Sequence, residues 1–122
     1  MKSKVYIETS IVSYLVARPS RDVVQAAAQK LTQAWWEDRG RFTLFASDLV
    51  LREAAAGDAK AAARRLEILA PITLVRVNAE AANLADGLLR AGGLPQRAGA
   101  DALHIAVAAA HGLDYLLTWN CK

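Results

Sequence analysis

The 122-residue chain carries a single cysteine, Cys121. One thiol cannot close an internal disulfide and cannot build a cysteine-based zinc site, and no histidine stands at a spacing that would make it a catalytic pair. No secretory leader is expected, because Met1-Lys2-Ser3-Lys4 is followed by only three apolar residues before Glu8. No apolar run reaches bilayer length without a charge. These absences set the expectation of a cytoplasmic protein that does not enter membranes. Ser10 lacks a Gly-x-Ser-x-Gly elbow, which removes support for a serine nucleophile. The lack of a glycine-rich phosphate loop argues against nucleotide-binding folds of similar topology. The lack of an Asp-x-Asp nucleophile motif argues against a phosphatase on such a sheet.

What is present describes a folded domain. Hydrophobic residues make up 54% and charged residues 22% of the chain, so a core can form without covalent staples. Net charge is +3, compatible with a nucleic-acid partner without requiring one. There are no internal repeats, linkers or low-complexity tracts.

Four short β-type runs alternate with helical patterns. Lys4–Ile7 reads as a strand, and Ser10 as the cap of a helix stopped near Arg18-Pro19. Ser20 or Asp22 caps a longer helix whose buried stripe is expected at Val24, Ala28, Leu31 and Trp35, with Trp36 turned to the surface. Phe42–Ala46 is a second strand, Ser47 caps a helix, and Gly57-Asp58 starts another with Ala62, Leu66 and Leu69 inward. Ile72–Val77 is a third strand. Asn78 caps a helix to Ala91, ended by Gly92-Gly93. A last, nearly all-apolar helix spans roughly Gly99–His111, and Tyr115–Thr118 is a fourth strand. Strands alternating with helices imply crossover connections and a mostly parallel sheet covered on both faces.

Three distant acids border apolar elements: Glu8, Glu53 and Asp101. An ionised carboxylate beside apolar surface needs a partner, and three brought together need a cation. Ligands of open parallel sheets bind beyond the carboxyl ends of the strands. Topology alone sends Glu8, Glu53 and Asn120 to that edge; Asp101 depends on the tertiary fold. Each acid also has an ordinary explanation, strongest for Asp101, since a carboxylate in a first helical turn is stabilised by the helix dipole. His104 reads as a packed or hydrogen-bonded core histidine and His111 as a helix-end residue. Asp48 and Asp58 read as capping acids, and Asp114 as a turn anchor. Arg52, Lys60, Arg64 and Arg65 cluster in the middle helices, while other arginines, Arg18 among them, scatter over loops and ends. Some of these cations are expected to follow an RNA backbone.

Four stretches, VYIETSIVSYL, SDLVLREAAAGD, ADALHIAVAAAHGLDYLLT and the terminal TWN, resemble in order the PIN-domain nucleases, particularly VapC-type toxins of prokaryotic toxin–antitoxin pairs. The resemblance covers essentially the whole chain. It implies an α/β, PIN-like (Rossmann-like) three-layer α/β/α fold with a mostly parallel central sheet of four or more strands, as one domain over residues 1–122. It also implies an acidic pocket that binds Mg2+ or Mn2+ and cuts RNA. Carried over by position, Glu8, Glu53 and Asp101 match the metal-binding acids, and Asn120, two residues after Thr118, falls where many members place a fourth acid. Thr9 and Ser10 match small hydroxyl residues that position water or substrate, a role also expected of Arg97, just ahead of Asp101. The implied partners are an RNA substrate, a cognate antitoxin and a second copy in a homodimer, with the first two helices in the contact region.

The chain departs from the common pattern in three places. Glu8 is longer by one methylene than the usual Asp, and Asn120 is neutral. The chain also stops directly after a strand, so the family's C-terminal helix and strand are expected to be missing. These departures favour a competing reading, a PIN-like module that binds RNA or protein without cutting.

Overall fold

The run Val5-Tyr6-Ile7 is β-branched and aromatic, a composition that suits a strand packed on both faces. In the computed structural model, which describes residues 2–91 and 99–120, these three side chains are sealed in the centre of the core. They belong to β1 (Ser3–Ile7), followed by helices α1 (Thr9–Val16) and α2 (Val23–Glu37), a 3-10 turn at Arg39–Arg41, and β2 (Phe42–Ser47). Helices α3 (Asp48–Ala54) and α4 (Ala59–Leu69), strand β3 (Thr73–Val75), helices α5 (Ala79–Arg90) and α6 (Gly99–Ala110), and strand β4 (Tyr115–Leu117) complete the order.

The strands form one sheet in the order β3-β2-β1-β4, and every described pairing is parallel. The crossovers from β1 to β2 and from β2 to β3 run in the same direction across the sheet, and α1 to α4, which pack on one another, cover one face. The third crossover runs back past β1, so its helices α5 and α6 cover the other face. The contacts agree: α1 packs on α2, α3 and α4, while α5 packs on α6. This is a three-layer α/β/α arrangement round a parallel sheet. The winding direction reverses between β1 and β4, so the crevice at their carboxyl ends is the expected ligand position.

Local sequence accounts for most element starts. Side-chain oxygens of Asp22, Ser47, Asp58 and Asn78 accept the backbone N–H of Gln25, Val50, Ala61 and Ala81, capping α2, α3, α4 and α5. Asp48 caps less locally: its Oδ1 accepts the Val77 N–H at 3.0 Å, tying the end of β3 to the start of α3. Asp114 anchors β1, accepting the Lys4 N–H at 2.7 Å, and His111 Nε2 bonds the Arg76 carbonyl at 2.7 Å.

Several expectations are corrected. Helix α1 begins at Thr9, with Glu8 in extended backbone at its N-cap, because the Ser10 hydroxyl is turned to the Glu8 carboxylate rather than to a helix N–H. The stripe of α2 is misphased: Val24 and Leu31 are 76% and 63% exposed, and the buried residue is Thr32. Thr32 enters the core because its hydroxyl is satisfied twice, donating to the Ala28 carbonyl at 2.7 Å and accepting Trp119 Nε1–H at 2.8 Å. Trp36 is half-buried against the core, not turned to the surface, and the Arg39 guanidinium covers its ring at 4.4 Å. Leu66 of α4 lies at the surface while Ala62 and Leu69 point inward. Strand β3 is shorter than expected because only Thr73–Val75 find partners on β2. The glycine pair Gly92-Gly93 lies outside the described residues, as do Arg97 and Cys121.

Candidate active site

Glu8 is the first residue after β1, and its N–H bonds the Leu117 carbonyl at 3.0 Å, extending the β1–β4 ladder by one rung. This fixes the backbone at the crevice between the two strands. The carboxylate is almost entirely buried, with Oε1 accepting hydrogen bonds from Thr118 Oγ1 at 2.6 Å and from the Ser10 hydroxyl. The turn after β4 closes round the same groups: Trp119 N–H donates to Ser10 Oγ at 2.9 Å and Asn120 N–H to Thr118 Oγ1 at 2.9 Å.

Glu53 reaches the crevice from α3, whose first turn is held by the Ser47 cap at the end of β2. Its Oε1 accepts from Thr9 Oγ1 at 2.5 Å and from His104 Nε2 at 2.8 Å. Behind His104 the chain of bonds continues inward: Nδ1 lies 2.7 Å from the Tyr6 hydroxyl, which lies 2.7 Å from Ser47 Oγ. Burial pushes the Tyr6 phenol far above the ordinary tyrosine range, and the nearby carboxylates of Glu53, Glu8 and Asp48 add to the rise against the Ser47 hydrogen bond. The Glu53 carboxylate can only accept, so Nε2 carries the proton of that bond, and in the neutral ring Nδ1 accepts from the Tyr6 hydroxyl.

Ligand atoms of Glu8, Glu53 and His104 all lie within 4.8 Å of one another. In each carboxylate one oxygen takes two protein donors, and the second has no hydrogen bond among the described residues. Those second oxygens are not sealed in, since no buried side-chain oxygen there lacks a partner. They open on a shallow cleft lined by Glu8, Thr9, Ser10, Tyr14, Glu53 and Asn120. Two converging carboxylates, rimmed by hydroxyl and amide oxygens, form a hard donor set suited to Mg2+ or Mn2+.

Of the residues expected from sequence, Glu8, Glu53, Thr9, Ser10 and Asn120 meet in this cleft. Asp101 is half-buried in the first turn of α6, one turn ahead of His104, and stands outside the close group. Arg97 lies outside the described residues. Sequence reasoning placed His104 in the core, which is correct, but missed that its outer nitrogen faces Glu53. The available signal was the three-residue spacing from Asp101, which puts both on one helix face. Tyr6, Ser47 and Trp119 carried no comparable signal.

The profile of the PIN domain family matches residues 5–120, and the chain belongs to that family. No curated protein sequence matches it. Among solved structures the fold is similar to VapC20 of Mycobacterium tuberculosis, described as a sarcin-ricin loop cleaving toxin. That match has a TM-score of 0.72 and 18% identity, over 95% of this chain and 89% of the other. The fold is also similar to VapBC2 from Rickettsia felis, solved bound to a DNA fragment from its promoter. There the TM-score is 0.69 and identity 19%, over 98% and 89% of the two chains.

Proposed function

We propose that this PIN domain is a metal-dependent endoribonuclease, the toxin of a toxin–antitoxin pair acting in the cytoplasm. The observation that carries the reading is the convergence of Glu8 and Glu53 in one cleft, each with one oxygen held by two donors and the other left for a ligand. Family membership and likeness in fold to a toxin described as cleaving the sarcin-ricin loop support the RNA substrate; likeness to VapBC2 supports an antitoxin partner.

Glu8 and Glu53 would hold Mg2+ or Mn2+, with Asp101, one turn ahead of His104, as the third ligand. When bound, the ion supplies an activated water for in-line attack on the phosphodiester and offsets charge on the leaving oxygen. The protein's own residues do the rest. Thr9, Ser10 and Thr118 keep the two carboxylates from turning toward solvent, and His104 holds Glu53 from below. Asn120, at the rim, offers an amide to orient water or phosphate. Arg97 is assigned to substrate contact. No side chain has to become a covalent nucleophile.

Val23, Val24 and Leu31 are exposed apolar residues of α2, and Leu31 lines a groove with Ile11, Trp35 and Trp119. Apolar surface of this kind marks an interface, and it is assigned to the antitoxin and homodimer contacts. Among the described residues no helix is long and apolar enough to cross a membrane.

The position of Asp101 outside the close group favours a second reading, a PIN-like module that binds RNA or protein without cutting. Incubating purified protein with total RNA plus Mg2+, Mn2+ or chelator, then sequencing the ends, separates the two. The nuclease reading expects defined new ends that disappear with chelator and in Glu53→Gln. Cleavage that survives Asp101→Asn removes Asp101 from the site. No cleavage by the wild type with either metal, while RNA is still bound, establishes the second reading.

A further inference from the structure

Beyond the acid cleft, Ser13 on α1 lines a second depression, between the C-terminal end of α1 and the first turns of α4. Along α1, Ser10 and Val16 are separated by about 9 Å of helix rise, so the two depressions form one continuous path. Their electrostatic character is opposite. The second carries Arg18, Lys60, Arg64 and Arg65 against one carboxylate, Asp58.

The roles of these charges differ. Arg65 is committed to the fold: its Nε donates to the Ala54 carbonyl at 2.8 Å and its Nη2 to the Ala56 carbonyl at 2.6 Å, joining α4 to the end of α3. Asp58 is also occupied, accepting the Ala61 N–H at 2.9 Å as the cap of α4. Arg18, Lys60 and Arg64 are exposed and form no ion pair among the described residues. Three cations without ion-pair partners among the described residues, on the wall of one groove, give it a positive potential.

We infer that this α1–α4 groove holds the phosphate backbone of the RNA strand where it leaves the acid cleft, a few nucleotides from the scissile bond. The inference rests on the ribonuclease reading for the strand's path. An RNA strand suits both halves of the path. Its phosphate at the acid cleft is accommodated through the metal ion, and its next phosphates meet Arg18, Lys60 and Arg64 directly. An acidic peptide is the competing polyanion, and RNA is favoured because the cleft at the head of the path is the proposed ribonuclease site.

The test is fluorescence-anisotropy titration of a labelled single-stranded RNA in chelator, where cutting does not interfere, over a series of salt concentrations. Counterion release predicts that each phosphate contact contributes about 0.7 to the slope of log affinity against log salt. Arg18→Ala, Lys60→Ala and Arg64→Ala are each expected to lower the slope by about 0.7, without moving the melting temperature. Asp58→Asn keeps a good helix cap while removing the groove's one negative charge, so it is expected to tighten RNA binding several-fold at low salt. Slopes unchanged in all three alanine variants overturn the inference. Loss of polyglutamate binding with RNA binding intact also overturns it and gives the groove to an acidic peptide. The reduced slopes together with no cutting by the wild type in Mn2+ support the groove while overturning the ribonuclease reading.

Discussion

His104 donates from Nε2 to Glu53 Oε1 across 2.8 Å, with its other nitrogen 2.7 Å from the Tyr6 hydroxyl. One ring thus joins the cleft to the floor of the sheet, and the carboxylate proposed to bind metal is oriented by a group that never reaches solvent. Outer-shell donors of this kind change metal affinity about 10–100-fold when removed. His104→Ala is therefore expected to weaken Mn2+ binding within that range, read by calorimetry well below the melting temperature. His104→Gln, which retains an N–H for Glu53, should recover part of the loss. Equal affinity in wild type and His104→Ala would show that the bond only fills space.

Glu8 is clamped at Oε1 by Thr118 and Ser10, a geometry set for a side chain of this length. Glu8→Asp withdraws the carboxylate by about 1.5 Å, the length of one C–C bond. Misplacement on that scale costs about 100-fold in rate. Cleavage by Glu8→Asp is expected to fall by that order, even though aspartate is the commoner residue at this position in the family. Wild-type turnover in the variant would mean that the Thr118–Ser10 clamp does not set the reactive geometry.

Tyr6 makes stability depend on alkaline pH. Its folded pKa is raised above the ordinary value of 10.0, mainly by burial. Below pH 10 both folded and unfolded chains hold the proton, and the contribution is fully present. As pH rises further the unfolded chain releases its proton while the folded one does not, so stability falls by about 1.4 kcal/mol per pH unit for this one group. Denaturant midpoints taken at steps above pH 10 should fall more steeply for wild type than for Tyr6→Phe. Parallel curves would show that Tyr6 does not carry this dependence.

Trp119 ties the segment after β4 to α2 through its bond to Thr32 and stacks on Tyr14 with ring centroids 5.6 Å apart. Trp119→Phe keeps an aromatic ring but loses the N–H, and is expected to cost about 0.5–1.5 kcal/mol in urea unfolding. Because Asn120 follows directly, the larger truncation Trp119→Ala should also lower cleavage at saturating RNA. Unchanged turnover in Trp119→Ala would detach the position of Asn120 from this anchor.

Periodicity and caps made the order of strands and helices legible, because those signals are local. Val5-Tyr6-Ile7 could only be a buried strand, and Ser47, Asp58 and Asn78 could be read as caps from the helical runs that begin just after them. Topology then carried Glu8, Glu53 and Asn120 to one edge. The phase of α2 was not legible: the buried Thr32 hydroxyl is shared between the local Ala28 carbonyl and Trp119, 87 residues away. A stripe of Val24 and Leu31 has the right spacing for a core and still faces outward.

The amino-acid sequence by itself therefore determined which end of the sheet Glu8, Glu53 and Asn120 reach, since strand ends and helix starts depend on near neighbours. Only the tertiary structure decided how they are held. It joined Glu53 to His104 and Tyr6, residues separated by 51 and 98 positions in two links of one chain of hydrogen bonds. It also left Asp101 a turn away from the group it was expected to join. Such contacts cross the sheet between layers, and no local pattern encodes the distance between two helices that meet only after the crossovers have wound.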